Sequence, residues 1–159
     1  MKHALLLSAA ALAACASAPP LSETAYVMLE RGPCFGRCPV YSVAMNAQGL
    51  VRFKGQRNVL QPGEHQQQHA PAEFARLLDE VTRLGVFDLA DSYSPGDPNC
   101  RHYATDMPSA RLEIQNGAQH VTVKHYLGCS EAPAQLRTIE DLIDQRTGST
   151  GWIKEAAAF

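Results

Sequence analysis

The sequence predicts an α+β domain in which antiparallel hairpins build a sheet and two helices pack on one of its faces, stapled by disulfides. Three observations carry that expectation. Short stretches with alternating apolar residues lie at 40–54 and 112–123. Two stretches with apolar residues at helical spacing each open at a proline and close at a glycine. The order along the chain is strands, helix, strands, helix.

Residues 26–30 read as a first strand and 40–45 as a second, with Tyr41, Val43 and Met45 on one face. Asn46, Ala47, Gln48 and Gly49 turn the chain into residues 50–54, where Val51 and Phe53 alternate with Arg52 and Lys54. Residues 55–70 are polar and glutamine-rich, with Pro62 and Gly63 as a turn, and form either an exposed loop or a further hairpin strand. Pro71 suits the first turn of a helix carrying Phe74, Leu77, Leu78, Val81 and Leu84 until Gly85 ends it. Residues 87–99, with Pro95, Gly96 and Pro98, predict a loop wrapping the surface. Leu112 and Ile114 lead through Asn116 and Gly117 to Val121 and Val123, and Asn before Gly predicts a two-residue type I′ turn. Pro133 opens a second helix with Leu136, Ile139, Leu142 and Ile143 on one face, closing at Gly148. Trp152 and Ile153 beyond it should pin the tail onto the core.

The first residues have the parts of an export signal: Lys2, an apolar stretch over 4–14, and small residues before a cysteine. Leu12, Ala13, Ala14 and Cys15 resemble the lipobox of bacterial lipoproteins. The chemistry needs a thiol there, because diacylglycerol is attached through sulfur. The resemblance implies that residues 1–14 are a signal peptide removed on export and that Cys15 carries the lipid, palmitate included. On that expectation 15–23 are a lipidated tether, with Pro19 and Pro20, and 24–159 one domain. The partner is then the membrane, through the lipid on Cys15. Ala16, where aspartate tends to retain such proteins at the inner membrane, points to the periplasmic face of the outer membrane.

Of 159 residues, removal of the first 14 leaves 145, enough to bury a core, with a net charge near −3. Lysine and arginine are scattered with no block of like charge, so nucleic acid is not an expected partner. Four cysteines remain beside Cys15, an even number that predicts two disulfides in an oxidising compartment. Of the three pairings, Cys34 with Cys38 and Cys100 with Cys129 are favoured. Gly36 lets the short loop fold back, and the second pair brackets a hairpin. Loop entropy makes the longer link worth about 3.5 kcal/mol and the shorter about 2 kcal/mol.

The most distinctive stretch runs from Arg31 through Gly32, Pro33, Cys34, Phe35, Gly36, Arg37, Cys38, Pro39 and Val40 to Tyr41. It resembles a bacterial family, domain of unknown function 6438, with the signature Cys-x-Gly-x-Cys-Pro-x-Tyr. The resemblance continues through the Gly49 hairpin, the helix after Pro71, Asp106 and Pro108, and the final helix with Trp152. It implies a fold and a lipoprotein or secreted context, and no activity. The Cys-x-x-x-Cys-Pro pattern also looks like the copper site of the Sco chaperones, where two thiolates and a distant histidine bind the metal. His125 would be that ligand here. That family has a thioredoxin fold with βαβ units, whereas this chain predicts antiparallel hairpins. A structural disulfide is therefore the expectation, with a thiol-redox or copper site at Cys34, Cys38 and His125 as the alternative.

Other candidates read as structural. His65 and His69, four apart in a polar segment with no glutamate between them, predict an exposed pair, and His102, His120 and His125 scatter along strand-like segments. Asp88, Asp91, Asp97 and Asp106 show no acid and base spacing, and Asp106 suits the cap of a turn. No serine elbow or glycine-rich phosphate loop occurs. No catalytic residue and no cofactor is expected. The predicted role is a noncatalytic envelope domain that binds an envelope protein or a small ligand.

Overall fold

The computed structural model describes residues 22–154; the expected signal peptide over 1–14, the expected lipidation site Cys15 and the expected tether as far as residue 21 lie outside them. Seven strands form one sheet: β1 (Tyr26–Arg31), β2 (Val40–Asn46), β3 (Leu50–Arg57), β4 (Gly63–Gln68), β5 (Ser92–Tyr93), β6 (Ser109–Asn116) and β7 (Gln119–Tyr126). Their spatial order is β4-β3-β2-β1-β6-β7-β5. Every pairing is antiparallel except that of β5 with β7. Helices α1 (Pro71–Arg83) and α2 (Ala134–Thr147), with the short α3 (Thr150–Ile153), complete an α+β fold. Among the described residues no helix is long and apolar enough to cross a membrane.

Strand alternation decides which face is covered. Val27 and Leu29, Val43 and Met45, Val51 and Phe53, Leu112 and Ile114, and Val121 and Val123 are buried on one face. Phe74, Leu77, Leu78 and Val81 of α1 and Leu136, Ile139 and Ile143 of α2 belong to the same core. The opposite face stays open and carries polar side chains such as Arg52, Lys54 and Lys124. Trp152 packs on Phe53 with ring centroids 5.1 Å apart, and the carbonyls of Trp152 and Ile153 accept the Gln61 and Leu60 N–H groups. The tail is thus pinned to the hairpin edge as the sequence predicts.

Three local expectations are sharpened or corrected. Residues 55–70 contribute a hairpin strand: β3 runs on to Arg57 and β4 pairs with it from Gly63 to Gln68. The stretch predicted as a plain loop holds a 3₁₀ turn at Val86–Asp88 and the two-residue β5. Buried Val86, Leu89 and Tyr93 hold it, and the Tyr93 hydroxyl accepts the Ala90 N–H at 3.1 Å. The second hairpin does not turn through Asn116 and Gly117. Asn116 pairs with Gln119, so the loop is Gly117 and Ala118, with positive φ at Gly117 alone of the two. Glycine at the first central position is the type II′ pattern. The register that buries Leu112 opposite Val123 and Ile114 opposite Val121 sets it.

Candidate functional site

One row of the covered face is polar. Register aligns Arg31 of β1 beside Tyr41 of β2 and Ala110 of β6, and Ala110 beside His125 of β7. The same-face residues two positions further into each strand, Leu29, Val43, Leu112 and Val123, are buried and apolar, so this row closes the core at the pole where β1 ends. Above it lies α2, whose Glu140 and Asp144 are one turn apart on its buried face.

These side chains bond to one another, with one exception at His125 Nε2. Arg31 Nη1 donates to Glu140 Oε2 at 2.7 Å, and Nη2 donates to Asp144 Oδ2 at 3.1 Å and Asp141 Oδ1 at 3.3 Å. The Tyr41 hydroxyl donates to the Asp144 carboxylate at 2.7 Å, and Ser149 Oγ donates to its Oδ1 at 2.8 Å. His125 Nδ1 stands 2.6 Å from Glu140 Oε1, and both side chains are 1% exposed. The carboxylate fixes Nδ1 as the donor, leaving His125 Nε2 buried without a partner among the described residues. Burial opposes the Arg31 charge, but Glu140 and Asp144 outweigh it and hold the guanidinium above its ordinary range. Burial, then the Asp144 charge, pushes the Tyr41 phenol well above its ordinary range, so it remains a donor.

Beside this cluster is a cleft of about 500 Å³. Pro39, Pro108, Leu127 and Ile153 supply apolar walls, and Asp141 and Lys154 supply charge. Both disulfides lie at the same pole. Cys34 and Cys38 are bonded, with Cα atoms 5.8 Å apart, in a half-exposed loop. Cys100 and Cys129 are bonded and buried, with Cα atoms 5.4 Å apart. Next to them Glu131 accepts from His102 Nδ1 and from the Arg101 and His102 backbone N–H groups. The bond from the His102 side chain, then those from the backbone, hold its carboxyl down at about 2.

The candidate ligand set Cys34, Cys38 and His125 is not assembled. The two cysteines are bonded to each other, while the His125 ring is engaged by Glu140 beneath α2. Among the described residues no group of three or more His, Cys, Asp or Glu has the geometry to hold a metal ion. His65 and His69 are not an exposed pair. His65 is half-buried on β4 with its ring centroid 5.9 Å from that of Trp152, and His69 Nε2 lies 3.3 Å from the Thr147 carbonyl. Asp106 sits at a turn with φ 67°, and its carbonyl accepts the Phe35 N–H at 3.2 Å.

Sequence reasoning missed Arg31, Glu140 and Asp144. A signal was present: positions 136, 139, 140, 143, 144 and 147 make one helical stripe, and two of its six members are carboxylates. An acidic pair on an apolar stripe asks for a buried cation. Arg31 shares the strand parity of Val27 and Leu29 and supplies it.

A family model described as "Domain of unknown function (DUF6438)" matches residues 25–147. A search of curated proteins found no match to the chain.

Proposed function

Because the chain belongs to the DUF6438 family, we propose from its own geometry that it is a noncatalytic binding domain of a lipid-anchored envelope protein. One observation carries the binding role: the buried polar groups beside the cleft are engaged with one another. Arg31 is held by three carboxylates and Tyr41 by Asp144, so the cluster braces a surface and offers no free nucleophile or base. A general base must reach the proton it abstracts, and His125 at 1% exposure reaches nothing outside the fold.

The anchor rests on the lipobox-like Leu12-Ala13-Ala14-Cys15 and the export signal before it. On this reading the protein sits on the periplasmic face of the outer membrane, and Ala16 after the cysteine supports that sorting. Metabolic labelling with an alkyne analogue of palmitate tests it. The wild-type chain is expected to take the label and sediment with membranes, and Cys15→Ser to lose both properties. An unlabelled wild type, or a label retained in Cys15→Ser, would sink the anchor.

The half-exposed Cys34–Cys38 disulfide supports a second role in thiol–disulfide exchange with a reduced partner. Equilibration in redox buffers followed by thiol trapping separates the two. A binding domain should keep both disulfides down to about −300 mV or below. A Cys34–Cys38 potential well above that, with Cys100–Cys129 still intact, would favour exchange.

A further inference from the structure

Four large apolar side chains are exposed among the described residues: Phe35 at 89%, Tyr103 at 49%, Leu60 at 47% and Met107 at 39%. Three of the four sit at the disulfide pole. The Phe35 N–H donates to the Asp106 carbonyl, which joins the loop of Phe35 to the residue before Met107. The Met107 N–H donates to the Tyr126 hydroxyl at 3.1 Å, and the Tyr103 ring stands edge-on to Tyr126 with centroids 6.0 Å apart. Tyr103 also forms a β-bridge with Cys129. Gly128 lets these loops close: a Cβ there would meet the Ala104 carbonyl at 2.3 Å and the Tyr126 ring at 2.6 Å.

Two disulfides restrain the backbone of this patch. The Cys34–Cys38 bond fixes the loop whose tip is Phe35, and the Cys100–Cys129 bond fixes the segment carrying Tyr103. An apolar ring held outward by a covalent loop loses little further freedom when a partner covers it. Rigid aromatic anchors of this kind dominate binding at protein interfaces.

We propose that this pole is a docking surface for a second protein that offers an apolar pocket to Phe35 and, at its rim, a carboxylate to Arg37 and a cation to Asp106. The inference rests on the binding role above and names its surface. Two observations select a protein over a lipid surface. Arg37 and Asp106 flank Phe35 with opposite charge, and neither enters an ion pair among the described residues. A uniformly anionic membrane would match Arg37 and repel Asp106, whereas a protein can complement both. The position of the tether points the same way. Residues 15–21 join the described chain at Ser22, before the Tyr26 end of β1. The strand then carries the chain about 17 Å to Arg31, at about 3.3 Å per residue, with the Phe35 loop beyond it. A domain anchored through Cys15 therefore presents this patch on the side away from its attachment.

The test uses the full-length protein in its own cells, with photoreactive benzoylphenylalanine at Phe35 or, at the opposite pole, at Gln48. A protein adduct is expected from position 35 and none from 48. The captured protein, identified by mass spectrometry and purified, should bind Cys15→Ser chain at least about tenfold more weakly when Phe35→Ala is added, as at other aromatic hot spots. Arg37→Glu should weaken it as well. Because the Phe35 ring is exposed, Phe35→Ala should leave the urea midpoint unchanged, which separates lost docking from lost folding. An adduct of twice the chain mass would assign the patch to a second copy. Phe35-dependent flotation with phosphatidylglycerol vesicles, without a protein adduct, would assign it to lipid. Equal affinity of the Phe35→Ala variant also overturns the proposal. Adducts from Gln48 but not from position 35 would overturn the location and leave the binding role standing. Adducts from neither position would overturn both.

Discussion

Arg31→Met is expected to lower the unfolding free energy by about 3–5 kcal/mol, the usual cost of removing one partner from a buried ionic cluster. Among the described residues the arginine is the one cation within bonding distance of both Glu140 and Asp144, and Glu140 is 1% exposed. Methionine fills similar volume and leaves two carboxylates facing each other across one helical turn without a counter-charge. Asp144 keeps the Tyr41 and Ser149 hydroxyls as donors, so most of the penalty falls on Glu140, which keeps only His125. That division gives a second expectation. Glu140→Gln in the Arg31→Met background retains an acceptor for His125 Nδ1 and removes a charge, and should recover stability relative to Arg31→Met alone. Urea denaturation of the oxidised protein measures both. A loss below about 1 kcal/mol for Arg31→Met would mean that water or a rearranged chain replaces the arginine. A double variant no more stable than the single would show that the cost is packing rather than charge.

The sheet and helices were legible because burial imposes short periods on the sequence. Val51 and Phe53, or Val121 and Val123, cannot alternate with polar or charged residues for any other common reason, and Pro71 and Gly85 bound their helix by backbone chemistry that needs no partner. The polar cluster was less legible because its members meet only through register. Arg31 and Glu140 are 109 residues apart, and each alone reads as an ordinary surface charge. The Asn116 turn failed for a related reason. Turn chemistry allowed a loop at 116–117, and the pairing of buried residues on the flanking strands moved it one position on. The tyrosine of the Cys-x-Gly-x-Cys-Pro-x-Tyr stretch was visible, but its hydroxyl's partner was not, since Asp144 comes 103 residues later.

Removing the Cys100–Cys129 link by Cys100→Ala/Cys129→Ala should cost about 3.5 kcal/mol, and Cys34→Ala/Cys38→Ala about 2 kcal/mol, if chain entropy dominates both. The separations are 29 and 4 residues, so the first link restrains far more of the unfolded chain. For a domain of this size the first loss corresponds to about 10 °C in Tm. It should be read by calorimetry, with reductant producing no further change at that site. The two links also differ in what they hold. Cys100 and Cys129 are buried beside the β6–β7 hairpin, so their loss should loosen the fold. The Cys34–Cys38 loop contributes no buried apolar side chain between its cysteines and carries Phe35 outward. Its loss should leave the core intact while freeing Phe35 to sample many orientations. Partner affinity should then fall by about the cost of re-ordering the loop, about tenfold or more. A Cys34→Ala/Cys38→Ala variant that binds as tightly as wild type would show that the loop is preorganised by the Phe35–Asp106 backbone bond and its flanking prolines, and that the disulfide serves stability alone.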